Sequence, residues 1–150
     1  MTAPSLLATL SPEKLARIPR RNSQPEFEQQ AALIAWARNP ATLRKYPALK
    51  LLSASLNGVK LTKAQAWKAK AAGMLKGEAD LRLPVARGQY IGWICEMKVK
   101  PNKPTPEQLA YGADMEAEGH RFIVAYDWEE AKRDLEQYLS QPRPSIIARE

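Results

Sequence analysis

Apolar and polar residues alternate along this chain with two periods, which predict a mixture of helices and strands. Apolar residues at helical spacing, together with capping signals, predict helices over 26–38, 62–73, 105–119 and 127–139. Apolar runs and two-residue alternation predict strands over 49–56, 80–83, 89–100 and 121–126. The order helix, strand, helix, strand, strand, helix, strand, helix predicts an α/β fold, a small mixed β-sheet flanked by helices.

The segment 89–100 has the clearest strand pattern. Its odd positions are all apolar from Ile91 to Val99, and its even positions end in Glu96, Lys98 and Lys100. Because successive side chains of a strand point to opposite faces, Glu96 and Lys98 are expected together on the face opposite the apolar row.

The two ends of the chain differ from its middle. Residues 1–25 are expected to be an N-terminal extension with one short helix, in which Pro12 follows the capping residue Ser11. Residues 26–140 form the predicted domain. The tail 141–150 contains two prolines and is expected to be irregular.

The composition removes several classes of chemistry. With one cysteine, Cys95, the chain cannot form an internal disulfide or a multi-cysteine zinc site. With one histidine, His120, most Ser-His and Cys-His catalytic mechanisms are also excluded. No apolar run approaches the ~20 residues that span a bilayer, and the first residues lack the pattern of a secretory signal. We therefore expect a cytoplasmic protein with no membrane partner, whose chemistry uses carboxylates, lysines and a metal held by oxygen.

The net charge of +7 is unevenly distributed. Between residues 29 and 77 there is no acidic residue and there are nine basic ones, whereas residues 107–136 carry nine acids and three bases. A one-sided basic surface is typical of a protein that binds a polyanion such as nucleic acid. The alternative is a solvated face that only keeps the protein soluble.

Asp80, Glu96 and Lys98 suggest a catalytic centre. If the strands that carry them form a hairpin, the two carboxylates approach one point, and two carboxylates with a backbone carbonyl and water suit Mg²⁺ or Mn²⁺. A lysine on the same face can orient water or stabilise charge on a phosphate. The alternative is an ordinary cross-strand ion pair between Glu96 and Lys98.

The order of motifs resembles the virus-type replication-repair nuclease domain (VRR-NUC), a branch of the PD-(D/E)XK nucleases, in its compact standalone phage-type form. The resemblance covers residues 25–139. It is carried by Glu26-x-x-x-Gln30, YPALKLL, Asn57-Gly58, KAAGMLKGEADLRLPVARGQY, IGWICEMK, TPEQ and EGHRFIVAYDWEEA. Ala79 stands where the family usually has proline, which affects the local turn but removes no ligand.

The resemblance implies a site. It makes Asp80 and Glu96 metal ligands with the backbone carbonyl of Met97, Lys98 the catalytic lysine, and Glu26 a supporting group that acts through water. Gln108 matches the family's glutamine on the following helix. Two alternatives stay open: Gln108 also completes a capping box with Thr105, and an acid such as Glu26 is favoured in any first helical turn.

DNA contacts are expected from the basic stretch. The candidates are Asn57, Lys60, Lys63, Lys68, Lys70 and Lys76, with Trp67 beside them, although Asn57-Gly58 is first of all a turn signal.

These observations favour a Mg²⁺- or Mn²⁺-dependent DNA endonuclease. The resemblance implies branched DNA or Holliday junctions as substrates, in a bacterial or phage-infected cell. Paired incisions at a junction favour a homodimer, whose interface candidates are Trp36, Tyr46 and Leu49. The alternative is a non-catalytic DNA-binding accessory module that uses the basic 29–77 face. A carboxylate-pair glycosidase is a third possibility, but it gains nothing from the basic stretch.

Overall fold

The computed structural model of the protein describes residues 25–55, 57 and 60–145. The short helix expected around Ser11 and the last five residues of the expected tail lie outside these ranges. Among the residues described, no helix is both long and apolar enough to cross a membrane.

Five α-helices occur in the described part of the chain. Four of them confirm the predicted helices to within a few residues: α1 (Pro25–Ala37), α3 (Lys63–Ala71), α4 (Pro106–Ala117) and α5 (Trp128–Ser140). The fifth, α2 (Pro40–Lys45), was not predicted. Asn39 caps α2 by accepting a hydrogen bond from the Ala41 amide, so the Asn39-Pro40 pair that ends α1 also begins the next helix.

The predicted strand over 49–56 is largely wrong. Residues Pro47–Leu51 form a 3-10 helix, and only Ser53–Ala54 are extended, as strand β1. The reason lies in which side chains reach the core. Leu49 and Leu52 are buried while Lys50 and Leu51 are exposed, and a three-residue spacing suits a 3-10 turn instead of the two-residue alternation of a strand.

Four strands form one mixed sheet in the order β1-β2-β3-β4. Strand β2 (Leu81–Leu83) pairs antiparallel with β1 and with β3 (Gly92–Met97), and β3 pairs parallel with β4 (His120–Ala125). A parallel pair needs a long crossover, and helix α4 supplies it between β3 and β4. The predicted small mixed sheet flanked by helices is therefore present.

Strand β3 lies at the centre and is buried on both faces. Its odd residues Trp93, Cys95 and Met97 join the main core with residues of α1 and α5, as the alternation predicted. Its even residues Ile94 and Glu96 lie on the other face, which α4 covers. The sheet thus separates an apolar layer from a layer that holds a buried charge.

Two of the predicted interface residues belong to the core of the single chain. Trp36 and Leu49 are buried within the main apolar cluster, and Tyr46 packs partly buried against it. Trp36 and Leu49 are therefore wrong as candidates for a homodimer interface, because the α1, α2 and 3-10 segments turn these side chains inward.

Gly112 lets α4 lie close to the sheet, which yields a test. A Cβ atom at this position would lie 2.2 Å from Cε1 of Phe122 on β4. We expect Gly112→Ala to destabilise the protein by about 1–3 kcal/mol through overpacking, although alanine normally favours a helix. Urea unfolding measures the change.

Phe122→Ala supplies the control for this test. With the phenyl ring removed, adding Gly112→Ala is expected to be neutral or stabilising, because only the helix propensity remains. Equal destabilisation by Gly112→Ala in both backgrounds would contradict the role assigned to the ring contact.

Candidate active site

The pairing of β2 with β3 brings the two predicted carboxylates together. Leu81 lies opposite Cys95 in the antiparallel register, so Asp80, one residue earlier, lies opposite Glu96. The Met97 amide donates a hydrogen bond to Asp80 Oδ2 at 2.7 Å, which fixes the carboxylate at the start of β2. The hairpin expected from the sequence is therefore formed.

Glu96 is the most buried charged residue among those described, with 1% of its surface exposed. Its Oε1 accepts a hydrogen bond from Gln108 Nε2 at 2.6 Å and lies 3.1 Å from Lys98 Nζ. Its Oε2 is buried and has no hydrogen-bond partner in the described part of the chain. A buried carboxylate oxygen that accepts no hydrogen bond lowers the stability of the fold, and it usually occurs where a ligand binds the oxygen.

Lys98 lies between two acidic groups. Only 8% of its surface is exposed, and its Nζ lies 3.1 Å from Glu96 Oε1 and 3.9 Å from Glu26 Oε2. Glu26 occupies the first turn of α1, where the helix dipole favours an acid, and it also accepts a hydrogen bond from Asn102. Helix α1 therefore brings Glu26 to the end of β3, and the role of Glu26 in supporting a metal stays a prediction.

Gln108 caps α4 and also contacts Glu96, while its role in catalysis stays a prediction. Its Oε1 accepts a hydrogen bond from the Thr105 amide and completes the capping box of α4. Its Nε2 donates to Glu96 at the same time. Because the cap orients the amide group, the start of α4 holds the Glu96 carboxylate in a defined position.

Burial raises the pKa of both carboxylates, Asp80 and Glu96. Loss of water and, to a smaller extent, the Asp80 charge together raise the pKa of Glu96 to about 7, against the opposing effect of Lys98. Burial also raises the pKa of Asp80, although the Met97 amide and Lys98 oppose this effect. With Glu26, the cluster holds three carboxylates and one ammonium group, so a divalent cation would neutralise it.

The donors present fit a hard divalent cation that also takes oxygen from the backbone and water. Asp80 and Glu96 face each other, and the unpartnered Glu96 Oε2 offers an unused donor. Although Glu26 adds a third carboxylate beside Lys98, no three carboxylate, imidazole or thiol side chains of the described ranges are close enough to hold one metal ion, so Asp80 and Glu96 would be its side-chain ligands. The roles of Met97 and Glu26 in holding Mg²⁺ or Mn²⁺ stay predictions.

The predicted DNA-binding residues fall into two groups. Lys60, Lys63, Lys68 and Lys70 are exposed, and none of them pairs with a carboxylate of the described residues. Lys76 instead forms an ion pair with Glu107 at 2.9 Å, and Asn57 donates its amide to the carbonyls of Leu75 and Glu78. Asn57 therefore joins the two ends of a long loop, and its role as a DNA contact stays a prediction.

Ser55 is a neighbour of the site that the sequence did not indicate. The β1–β2 register, continued by one residue, brings it opposite Asp80, whose carbonyl accepts a hydrogen bond from the Ser55 amide at 2.8 Å. Its hydroxyl is buried without a hydrogen-bond partner among the residues described. Only the cross-strand register reveals this position, because no local pattern marks a serine after a two-residue strand.

Comparison with known proteins identifies the fold. No family model matches the sequence, and no curated protein matches it. Among solved structures, the chain is similar to a protein described as "VRR_NUC domain protein", with a TM-score of 0.67 and 23% identity over 86% of this chain and 99% of that one. The protein therefore shares the fold of that structure, a small mixed sheet flanked by helices, and the predicted fold class is confirmed.

The excess negative charge of the site predicts a measurable effect on stability. Without metal at pH 8, we expect Glu96→Gln to raise the melting temperature by a few degrees, the shift that about 1 kcal/mol produces in a domain of this size. Adding Mn²⁺ should stabilise the wild type and have little effect on the variant, because a ligand stabilises only the state that binds it. Thermal unfolding with and without Mn²⁺ measures both effects.

Glu116→Gln is the matched control, since Glu116 is an exposed residue of α4. It is expected to behave as the wild type in both conditions. Equal Mn²⁺ shifts in the wild type and in Glu96→Gln would contradict the assignment of Glu96 as a ligand.

Proposed function

We propose that the protein is a divalent-metal-dependent DNA endonuclease that hydrolyses phosphodiester bonds, with branched DNA or Holliday junctions as preferred substrates. The observation that carries the proposal is the cluster of Asp80, Glu96 and Lys98, in which the buried Glu96 Oε2 has no hydrogen-bond partner among the described residues. Its occurrence on a fold shared with a VRR_NUC domain protein supports the same class of chemistry.

Asp80 and Glu96 would hold Mg²⁺ or Mn²⁺, together with the Met97 carbonyl and with Glu26 through water. When bound, the cation supplies polarisation of a phosphoryl oxygen and lowers the pKa of water. The backbone N–H of Met97 orients Asp80, and the side-chain amide of Gln108 orients Glu96. Both carboxylates are therefore fixed before substrate binds.

Lys98 supplies a positive charge beside the reacting phosphate. Glu96 and Glu26 hold its ammonium group close to the carboxylate pair, where it can stabilise the charge that develops on a phosphate oxygen or orient the attacking water. Water adds to phosphorus and the bridging P–O bond breaks, which leaves a phosphate monoester and a hydroxyl group. Because Lys98 is largely buried, its charge acts with little screening by solvent.

The first test separates catalysis from binding. We expect Asp80→Ala and Glu96→Ala to reduce cleavage more than about 100-fold, since even the partners of metal ligands cost up to that much. Lys98→Ala should reduce cleavage about 100- to 1,000-fold while metal binding persists. DNA affinity should change little in all three variants, because the exposed lysines supply the phosphate contacts.

Cleavage of labelled duplex, flap and four-way-junction DNA, with Mg²⁺, Mn²⁺ or EDTA, measures these effects. Glu116→Ala and Lys132→Ala are the controls; Lys132 pairs with Glu136 on α5 and takes no part in the cluster. Wild-type turnover that persists in excess EDTA would overturn the proposed metal dependence.

A DNA-binding accessory module without catalysis is the alternative, and the exposed lysines of the 60–70 segment are compatible with it. Buried carboxylates serve no purpose in such a module, because they repel phosphate and destabilise the chain. Absence of cleavage on every substrate, with strong binding retained, would favour this alternative.

The assembly is a further part of the proposal: the protein acts as a homodimer and cuts a four-way junction more readily than plain duplex. One chain supplies one cluster, whereas two symmetric incisions need two, and a two-fold pair matches a junction of the same symmetry. A stable interface of this kind buries more than about 1,000 Å².

Light scattering at micromolar concentration should give the dimer mass. A monomer with equal rates on duplex and junction would instead indicate a simple nicking enzyme.

A further inference from the structure

Helix α3 stands apart from the core. None of its nine residues is buried, and Trp67 at its centre is 71% exposed. The other three tryptophans of the chain, Trp36, Trp93 and Trp128, are all buried. Because this indole is exposed on a helix with no buried residue, it does not stabilise the core. The residues around it indicate what kind of ligand it binds.

The neighbours of Trp67 on the helix surface are cationic. Lys63 lies four residues before it and Lys70 three residues after it, so both ammonium groups share its face of α3. No acidic residue occurs anywhere between positions 29 and 77. The surface therefore presents one flat aromatic group with a positive charge on each side.

The segment that carries α3 is anchored beside the candidate active site. The residues between β1 and β2, which include α3, form an excursion from the sheet. The side-chain amide of Asn57 donates hydrogen bonds to the carbonyls of Leu75 and Glu78, which joins the two ends of this excursion two residues before Asp80. On the other side, Lys76 pairs with Glu107, the residue before Gln108. Gly77 lies so close to Glu107 that a Cβ atom would be 2.7 Å from its carbonyl oxygen. The base of the excursion is thus fixed to both elements that hold the carboxylates.

We propose that Trp67 stacks on an unpaired base of DNA while Lys63 and Lys70 bind the adjoining phosphates. Aromatic side chains flanked by cations bind single strands in this way, whereas the base faces of an intact duplex are hidden in the stack. The proposal rests on the proposed function in taking DNA as the ligand. It makes α3 the element that recognises the single-stranded part of a branched substrate.

Charge complementarity selects DNA over the other possible occupants of this helix. A second copy of the chain would have to bury three lysines against its own surface at a large desolvation cost. An anionic membrane surface would need a broad apolar face, and α3 offers one large apolar side chain. Both occupants are outcomes that the experiment distinguishes.

Because the other three tryptophans are buried, quenching of the intrinsic fluorescence by DNA reports on Trp67. In EDTA, so that no cleavage occurs, we expect an oligothymidylate of about 12 nucleotides to quench the emission of the wild-type protein. The quenching should be lost in Trp67→Ala and Trp67→Phe. Blunt duplex DNA should quench much less.

Affinities from the anisotropy of labelled DNA complete the test. Trp67→Ala should weaken binding to oligothymidylate and to flap DNA about 10-fold, and binding to blunt duplex by less than about twofold. Trp67→Phe should restore part of the loss, because a phenyl ring still stacks. Ile91→Ala removes another exposed apolar side chain and should have no effect. Replacing Lys63 and Lys70 together should flatten the salt dependence for both DNA forms, by about 0.7–0.9 per lysine.

Three results would overturn the proposal. The first is equal loss of affinity for duplex and single-stranded DNA in Trp67→Ala, or no loss at all. The second is a change of mass in light scattering with this variant, which would assign Trp67 to a second copy of the chain. The third is Trp67-dependent sedimentation with anionic phosphatidylserine vesicles without any quenching by DNA.

The outcome is separable from that of the proposed function. Quenching by oligothymidylate with no cleavage in Mg²⁺ or Mn²⁺ would refute the nuclease and leave the stacking role intact. Cleavage of flap DNA that is insensitive to Trp67→Ala would refute the stacking role and leave the nuclease intact.

Discussion

The antiparallel pairing of β2 with β3 brings Asp80 opposite Glu96 inside the protein, and the arrangement around it follows from the cost of that pair. Burial raises the pKa of both carboxylates, and the Asp80 charge also contributes to the increase for Glu96. The Met97 amide, Lys98 and Gln108 offset only part of this cost. Because Glu96 Oε2 has no hydrogen-bond partner among the residues described, the pair destabilises the fold, and the proposed cation would offset this cost.

The surrounding helices are positioned by features that also serve ordinary folding. Gly112 allows α4 to approach Phe122 closely, and the capping box at Thr105 orients Gln108 toward Glu96. Helix α1 packs on the opposite layer, and its first turn extends far enough to bring Glu26 within reach of Lys98. The same contacts that complete the helix ends therefore fix the side chains of the site.

The fold separates the proposed catalytic cluster from the lysines that are proposed to bind DNA. Asp80, Glu96 and Lys98 lie at the sheet, whereas the exposed lysines Lys60, Lys63, Lys68 and Lys70 lie on the segment between β1 and β2. A helix of nine residues with no buried side chain is marginal by itself. Helix α3 relies on its Thr62–Gln65 capping box and on the anchoring of the excursion at Asn57 and Lys76.

The sequence by itself determined the local features. The caps at Thr62, Thr105 and Asp127 predicted three helices, and the alternation in β3 predicted which face carries Glu96 and Lys98. These signals are readable because hydrogen bonds within one turn and the pleat of one strand depend only on neighbouring residues.

Only the tertiary structure decided the remainder. It turned Leu49 and Trp36 into the core, joined Lys76 to Glu107, brought Ser55 opposite Asp80 and left Trp67 exposed. Each of these outcomes depends on packing, or on a pairing register, between segments far apart in the chain. No pattern within a single segment encodes that relation, because the free energy of such a contact arises only when both segments are in place.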